Sequence, residues 1–155
     1  MNVPLLDLKS QYAGIQDEIQ MALEEVCAEQ SFILGPHVQK LEQTMAEFIG
    51  TGHAIGVASG SDALLLSLME AGIQPDDQVL TVPFTFFASA GVISSLHARP
   101  VFVDVIPNTF NLDPAHLPEK LTPNVKAILP IHLFGQCAEM ETILQKEKEK
   151  GIPVI

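Results

Sequence analysis

Between His53 and Ile155, short apolar runs and helical patterns take turns, and this alternation narrows the fold more than any other feature of the chain. The runs read "HAIGVA", "QVLTV", "RPVFVDV", "VKAILPI" and "IPVI". They are apolar blocks and do not alternate apolar with polar, so they predict strands covered on both faces. Helices are predicted between them over Ser61–Ala71, Phe86–Leu96, Pro114–Leu121 and Glu139–Lys150. Strands joined through helices run parallel, which makes this an α/β chain with three layers, α/β/α, around a mostly parallel sheet. Upstream, Tyr12, Ile15, Ile19, Leu23 and Val26 follow helical spacing and predict one amphipathic helix over 11–29. Gly35 and Pro36 interrupt it, and Val38, Leu41, Met45 and Phe48 mark a second helix ended by "GTG". The expected division is an N-terminal helical segment, 1–50, packing on a main domain, 51–155.

Composition excludes several classes of function. A chain of 155 residues with 47% hydrophobic and 17% charged residues can bury a core and is not disordered. A net charge of −11 with one arginine, Arg99, opposes binding to nucleic acid or to an anionic membrane surface. The start "MNVPLLDLKSQY" lacks the basic and then apolar segments of a secretory signal, and no apolar run reaches the length of a membrane span. Cys27 and Cys137 are too few for a disulfide framework and too isolated for a zinc site. The expectation is a soluble, cytoplasmic protein. In α/β proteins the site lies at the carboxyl ends of the strands. A sheet that stops on "IPVI" with no covering helix therefore reads as part of a longer polypeptide.

Three stretches fall at that edge. In "GVASGSDALLLSL" a predicted strand runs into Ser59, Gly60, Ser61 and Asp62, where a helix begins. Free amides at a helix start suit a phosphate, Gly60 permits close approach, and the Ser61 hydroxyl adds a donor. The Asp62 carboxylate would repel an anion, so its amide is expected to face the anion while its side chain turns away. A plain N-cap formed by Ser59 or Ser61 fits the same residues. No G-x-G-x-x-G follows a strand and no G-x-x-x-x-G-K-[ST] is present, so neither a dinucleotide fold nor a P-loop is supported. In "TVPFTFFASAGVI", at least two of Phe84, Phe86 and Phe87 are expected in the core, leaving one ring to stack on a flat heterocycle. In "AILPIHLFGQC", His132 and Gln136 follow a buried strand, as functional or as hydrogen-bonded structural residues.

Taken in order, "VPLLDLKSQY", "FILGPHVQKLEQTMAEFIGTGHAIGVASGSDALLLSL", "VPFTFFASAGVI", "PVFVDVIPNTFNLDP" and "AILPIHLFGQ" resemble the DegT/DnrJ/EryC1/StrS sugar aminotransferases. The resemblance implies the first part of the large domain of a type I pyridoxal phosphate (PLP) enzyme. It implies that Gly60, Ser61 and Asp62 hold the cofactor phosphate, matching the family's S-G-T-D-A-L, and that Phe86 stacks on its ring. It places His132 and Gln136 near the site without firm roles. The family's pyridine-nitrogen aspartate and Schiff-base lysine match nothing in residues 1–155, so the isolated chain is expected to be inactive. For a complete protein the resemblance implies transfer of an amino group from an amino acid, usually glutamate, to a nucleotide-linked keto-sugar, by a homodimer. A sugar dehydratase of the same family and a truncated, non-catalytic relative are the alternatives.

Overall fold

A computed structural model describes residues 5–155, so Val3 and Pro4 of the first motif lie outside the described residues. The chain separates into two compact units, one ending at Gly56 and one running Val57–Ile155.

The first unit contains α1 (Leu8–Ala13), α2 (Gln16–Glu29) and α3 (Pro36–Ile49). The one helix predicted over 11–29 is two. Gly14 closes α1, and Ile15, at φ −127° and ψ 6°, leaves the helical region before α2 begins. Asp7 caps α1 by accepting from the Ser10 amide at 3.1 Å and its hydroxyl at 2.6 Å, and the hydroxyl bond holds the Asp7 carboxyl below its usual range. Pro36 opens α3, and Gly50 ends it in the left-handed conformation at φ +77°. Residues 53–58, predicted as a strand, pair with no strand among the described residues, and Ile55 is 81% exposed. An apolar run becomes a strand only where a ladder partner takes up its backbone hydrogen bonds.

The second unit runs α4 (Gly60–Glu70), β1 (Gln78–Thr81), α5 (Ala88–Ser95), β2 (Arg99–Phe102), α6 (Leu117–Lys120), β3 (Val125–Ile128) and α7 (Met140–Lys150). β1 lies in the middle with β2 and β3 parallel on either side, Leu80 standing opposite Val101 and Ile128. Several predicted bounds contract. β2 stops at Phe102, and Val105 instead bridges Leu112 in antiparallel fashion. The helix predicted over Pro114–Leu121 is a 3₁₀ turn followed by the single turn of α6. α5 starts at Ala88, two residues after the predicted start at Phe86. Of "IPVI", Val154 bridges Ile128 in parallel without forming a full strand.

Burial on both sides is reached by β1 and by most of β3, whereas β2, at the edge of the sheet, has no fully buried residue. Leu80, Val82 and Ile128 pack with Leu117 of α6 and Ile143 of α7. Val79 and Ala127, one residue away, pack on the other face with Leu68 of α4 and with Val92 and Ile93 of α5. The three layers follow from that change of face at successive residues. At the amino edge of the sheet Arg99 forks onto the Asp76 carboxylate through Nε and Nη2, which engages the single arginine away from the carboxyl edge. Among the described residues no helix is long and apolar enough to cross a membrane.

Leu80 is fully buried on the central strand. Leu80→Ala is expected to destabilise the complete protein by about 3 kcal/mol in denaturant unfolding. A loss below about 1 kcal/mol would show that this face of the sheet is not the core.

Candidate functional site

The carboxyl ends of β1, β2 and β3 share one edge, from which the loops 82–87, 103–113 and 129–139 depart. The cup sits at the start of α4. Ser59 is extended (φ −159°, ψ 164°) and caps the helix, its Oγ accepting from the Asp62 amide at 3.1 Å and donating to Asp62 Oδ2 at 2.9 Å. This corrects the role expected for Asp62. Its amide is already engaged, and its carboxylate turns back onto the cap hydroxyl, because a serine three residues upstream satisfies both at once.

The cap leaves donors over. The Gly60 and Ser61 amides and the Ser61 hydroxyl bond no described residue. The first amides of a helix have no partner inside it and carry the positive end of its dipole. A methyl group added at Gly60 would meet no atom within 4 Å, and the backbone there is not left-handed. Neither packing nor conformation among the described residues calls for glycine at this position, and the backbone there is open to close approach. No Lys or Arg lies between Val57 and Leu68, so the donors of this segment are neutral.

Ser61 and Phe86 line the same open cleft, of about 560 Å³, together with Phe87, Ala88 and Gly91. That size suits a cofactor-like molecule. The expectation that at least two of the three phenylalanines are core is not met. Phe86 and Phe87 are each 79% exposed and Phe84 is 47% exposed, because β1 ends before them and α5 starts after them. Phe84 packs on Phe110 with ring centroids 5.0 Å apart. Phe87 lies over Gly91, where a β-carbon would come within 2.8 Å of its Cε1. Phe86 alone of the three has neither kind of partner among the described residues. A larger hollow, of about 780 Å³, lies at the opposite edge of the sheet beside Asp77, Lys126 and Lys150 and contains none of the motif residues.

His132 and Gln136 do not line the cleft; they lie on the loop after β3, at the same edge. His132 Nδ1 accepts from the Ala138 amide at 3.1 Å, so in the neutral ring the proton resides on Nε2. The Gln136 carbonyl accepts from Asn111 Nδ2 at 3.0 Å, and Asn111 Oδ1 accepts from the Leu133 amide at 3.0 Å. Asn111, 2% exposed, is the residue that motif reading missed. It lies inside the quoted motif "PVFVDVIPNTFNLDP", as a polar residue set between Phe110 and Leu112, but no role is assigned to it there.

A sequence model of the "DegT/DnrJ/EryC1/StrS aminotransferase family" matches residues 13–155. The chain is 48% identical over 155 residues to a "Pleiotropic regulatory protein" of Geobacillus stearothermophilus, covering all of this chain and 42% of that protein. It is 42% identical over 153 residues to the "UDP-2-acetamido-2-deoxy-3-oxo-D-glucuronate aminotransferase" of Pseudomonas aeruginosa, covering 99% of this chain and 43% of that one. The structure of NtdA from Bacillus subtilis "with bound cofactor pmp" superposes with a TM-score of 0.95 at 29% identity, over 99% of this chain and 35% of that one. The chain thus spans about two fifths of the length of the curated relatives it matches.

Ser59→Ala removes the acceptor of the Asp62 amide and is expected to lower stability by about 1 kcal/mol in denaturant unfolding of the complete protein. Ser61→Ala, at the same helix start, is expected to stay within about 0.5 kcal/mol of the parent because its hydroxyl bonds no described residue. Equal losses for the two would mean that Ser61, too, is part of the cap.

Proposed function

The chain belongs to the DegT/DnrJ/EryC1/StrS aminotransferase family, and from that premise we propose that it carries the cofactor cup of a pyridoxal phosphate-dependent sugar aminotransferase. The observation that supports this reading most is that Ser61, at a helix start with unbonded donors, and Phe86, an unpartnered ring, line one cleft at the carboxyl edge of the sheet.

The residues present fit the group. The Gly60 and Ser61 amides with the Ser61 hydroxyl receive the phosphate, and Gly60 lets it approach the backbone. Asp62 serves from behind, holding Ser59 and so the shape of the helix start. Phe86 provides a face for the ring, and His132 and Gln136 border the site from the loop after β3. The donors at Gly60 and Ser61 are neutral. When bound, the cofactor supplies the electron sink that lets an amino group pass from one carbon skeleton to another.

For the complete protein, the reading is transfer of the amino group of an amino acid, glutamate foremost, to a nucleotide-linked keto-sugar. The amino sugar serves lipopolysaccharide or another surface polysaccharide. The UDP-linked 3-oxo sugar named for the Pseudomonas relative supports this substrate class. The reading includes a cytoplasmic homodimer.

Cofactor-free complete protein titrated with pyridoxal phosphate tests the cup by absorbance. Ser61→Ala is expected to weaken binding about tenfold, the weight of one charge-assisted hydrogen bond. Phe86→Ala is expected to weaken it more than Phe84→Ala or Phe87→Ala at equal folding stability. Equal effects of the three phenylalanines would return Phe86 to a packing role. Release of 2-oxoglutarate from glutamate in the presence of a UDP- or dTDP-linked keto-sugar is the expected activity. Its absence with every such sugar would overturn the substrate class.

A further inference from the structure

The loops at the carboxyl edge are braced to one another, and the brace converges on the segment after β2. Phe110, in that segment, packs on Phe84 of the loop after β1. Asn111, the next residue, reaches the loop after β3 with both ends of its carboxamide. The Asn111 carbonyl accepts from the Ile106 amide at 2.9 Å and Leu112 beside it is fully buried, so the anchor itself is fixed.

A buried asparagine must be hydrogen-bonded, but satisfaction alone does not explain where these bonds go. Both cross to one distant loop and bracket its tightest part. Between Leu133 and Gln136 the chain passes through Phe134 at φ +54° and Gly135 at φ +84°. The left-handed region is unfavourable for a phenylalanine, so the loop needs an external hold to stay there. His132 lies just ahead of the bracketed span and Ala138 just behind it, and the bond between them sets which ring nitrogen carries the proton.

We propose that Asn111 is a positioning residue of the site: its carboxamide holds the 132–138 loop so that His132 offers a protonated Nε2 as a fixed donor at the carboxyl edge. The use of that donor rests on the reading of the site as a cofactor pocket, whereas the hold on the loop does not.

The test uses the complete protein without cofactor. The ¹⁵N shifts of the His132 ring are expected to show one neutral tautomer, protonated at Nε2, in the parent. In Asn111→Leu they are expected to move toward a mixture of tautomers. Amide exchange at Leu133 and Ala138 is expected to accelerate about tenfold while Leu80 and Ile128 in the sheet hold their protection. Asn111→Asp keeps the acceptor for Leu133 and loses the donor to Gln136; it is expected to release the loop part-way, and it decides the matter if the leucine variant does not fold. A merely structural asparagine would lower the melting temperature and leave the tautomer alone. An unchanged tautomer and an unchanged Ala138 amide in the folded variants would overturn the proposal. Failure of the parent to take up pyridoxal phosphate, with the loop released in the variants as described, would overturn the cofactor reading and leave the positioning role standing.

Discussion

The loops that leave the carboxyl edge depend on a short parallel ladder whose central strand, β1, is buried from both sides. Val79 and Leu80 are adjacent on β1 yet belong to opposite faces, one against α4 and α5 and the other against α6 and α7. A parallel strand cannot return through a tight turn, so the chain must cross over a face each time. All three strands therefore deliver their following loops to one edge. Close packing on two faces makes the ladder stiff, and what leaves its end inherits a defined position.

The start of α4 offers only neutral donors. The one arginine is engaged with Asp76 at the amino edge, and the start of α4 carries no basic residue. Backbone amides and a serine hydroxyl are the donors at the start of α4, and their aim depends on Ser59 and Asp62 keeping its first turn in shape. The loops are cross-braced by one aromatic pair and one buried carboxamide, each with a member, Phe110 or Asn111, in the segment after β2. Burial strengthens the Asn111 bonds and makes their loss costly.

The layers and the order of elements were legible in the residues, because apolar blocks between helical patterns admit few arrangements. The start of α4 was legible to within one residue and Phe86 follows the predicted strand β1, while the roles of Gly60, Ser61 and Phe86 came from resemblance. Three features were not legible, each for a physical reason. Residues 53–58 have the composition of a strand, but composition does not supply a ladder partner. The Asp62 amide goes to Ser59, a choice between two acceptors that local sequence leaves open. Asn111 acts across 22 to 25 residues of chain, a distance at which no spacing rule operates.

The most direct test of the cup is a crystal structure of the complete protein with pyridoxal phosphate bound. The phosphate is expected within hydrogen-bonding reach, about 2.7–3.2 Å, of the Gly60 and Ser61 amides and of Ser61 Oγ, with the Asp62 amide still on Ser59. A phosphate seated elsewhere, or one that takes the Asp62 amide from Ser59, would contradict the arrangement of the cup described above.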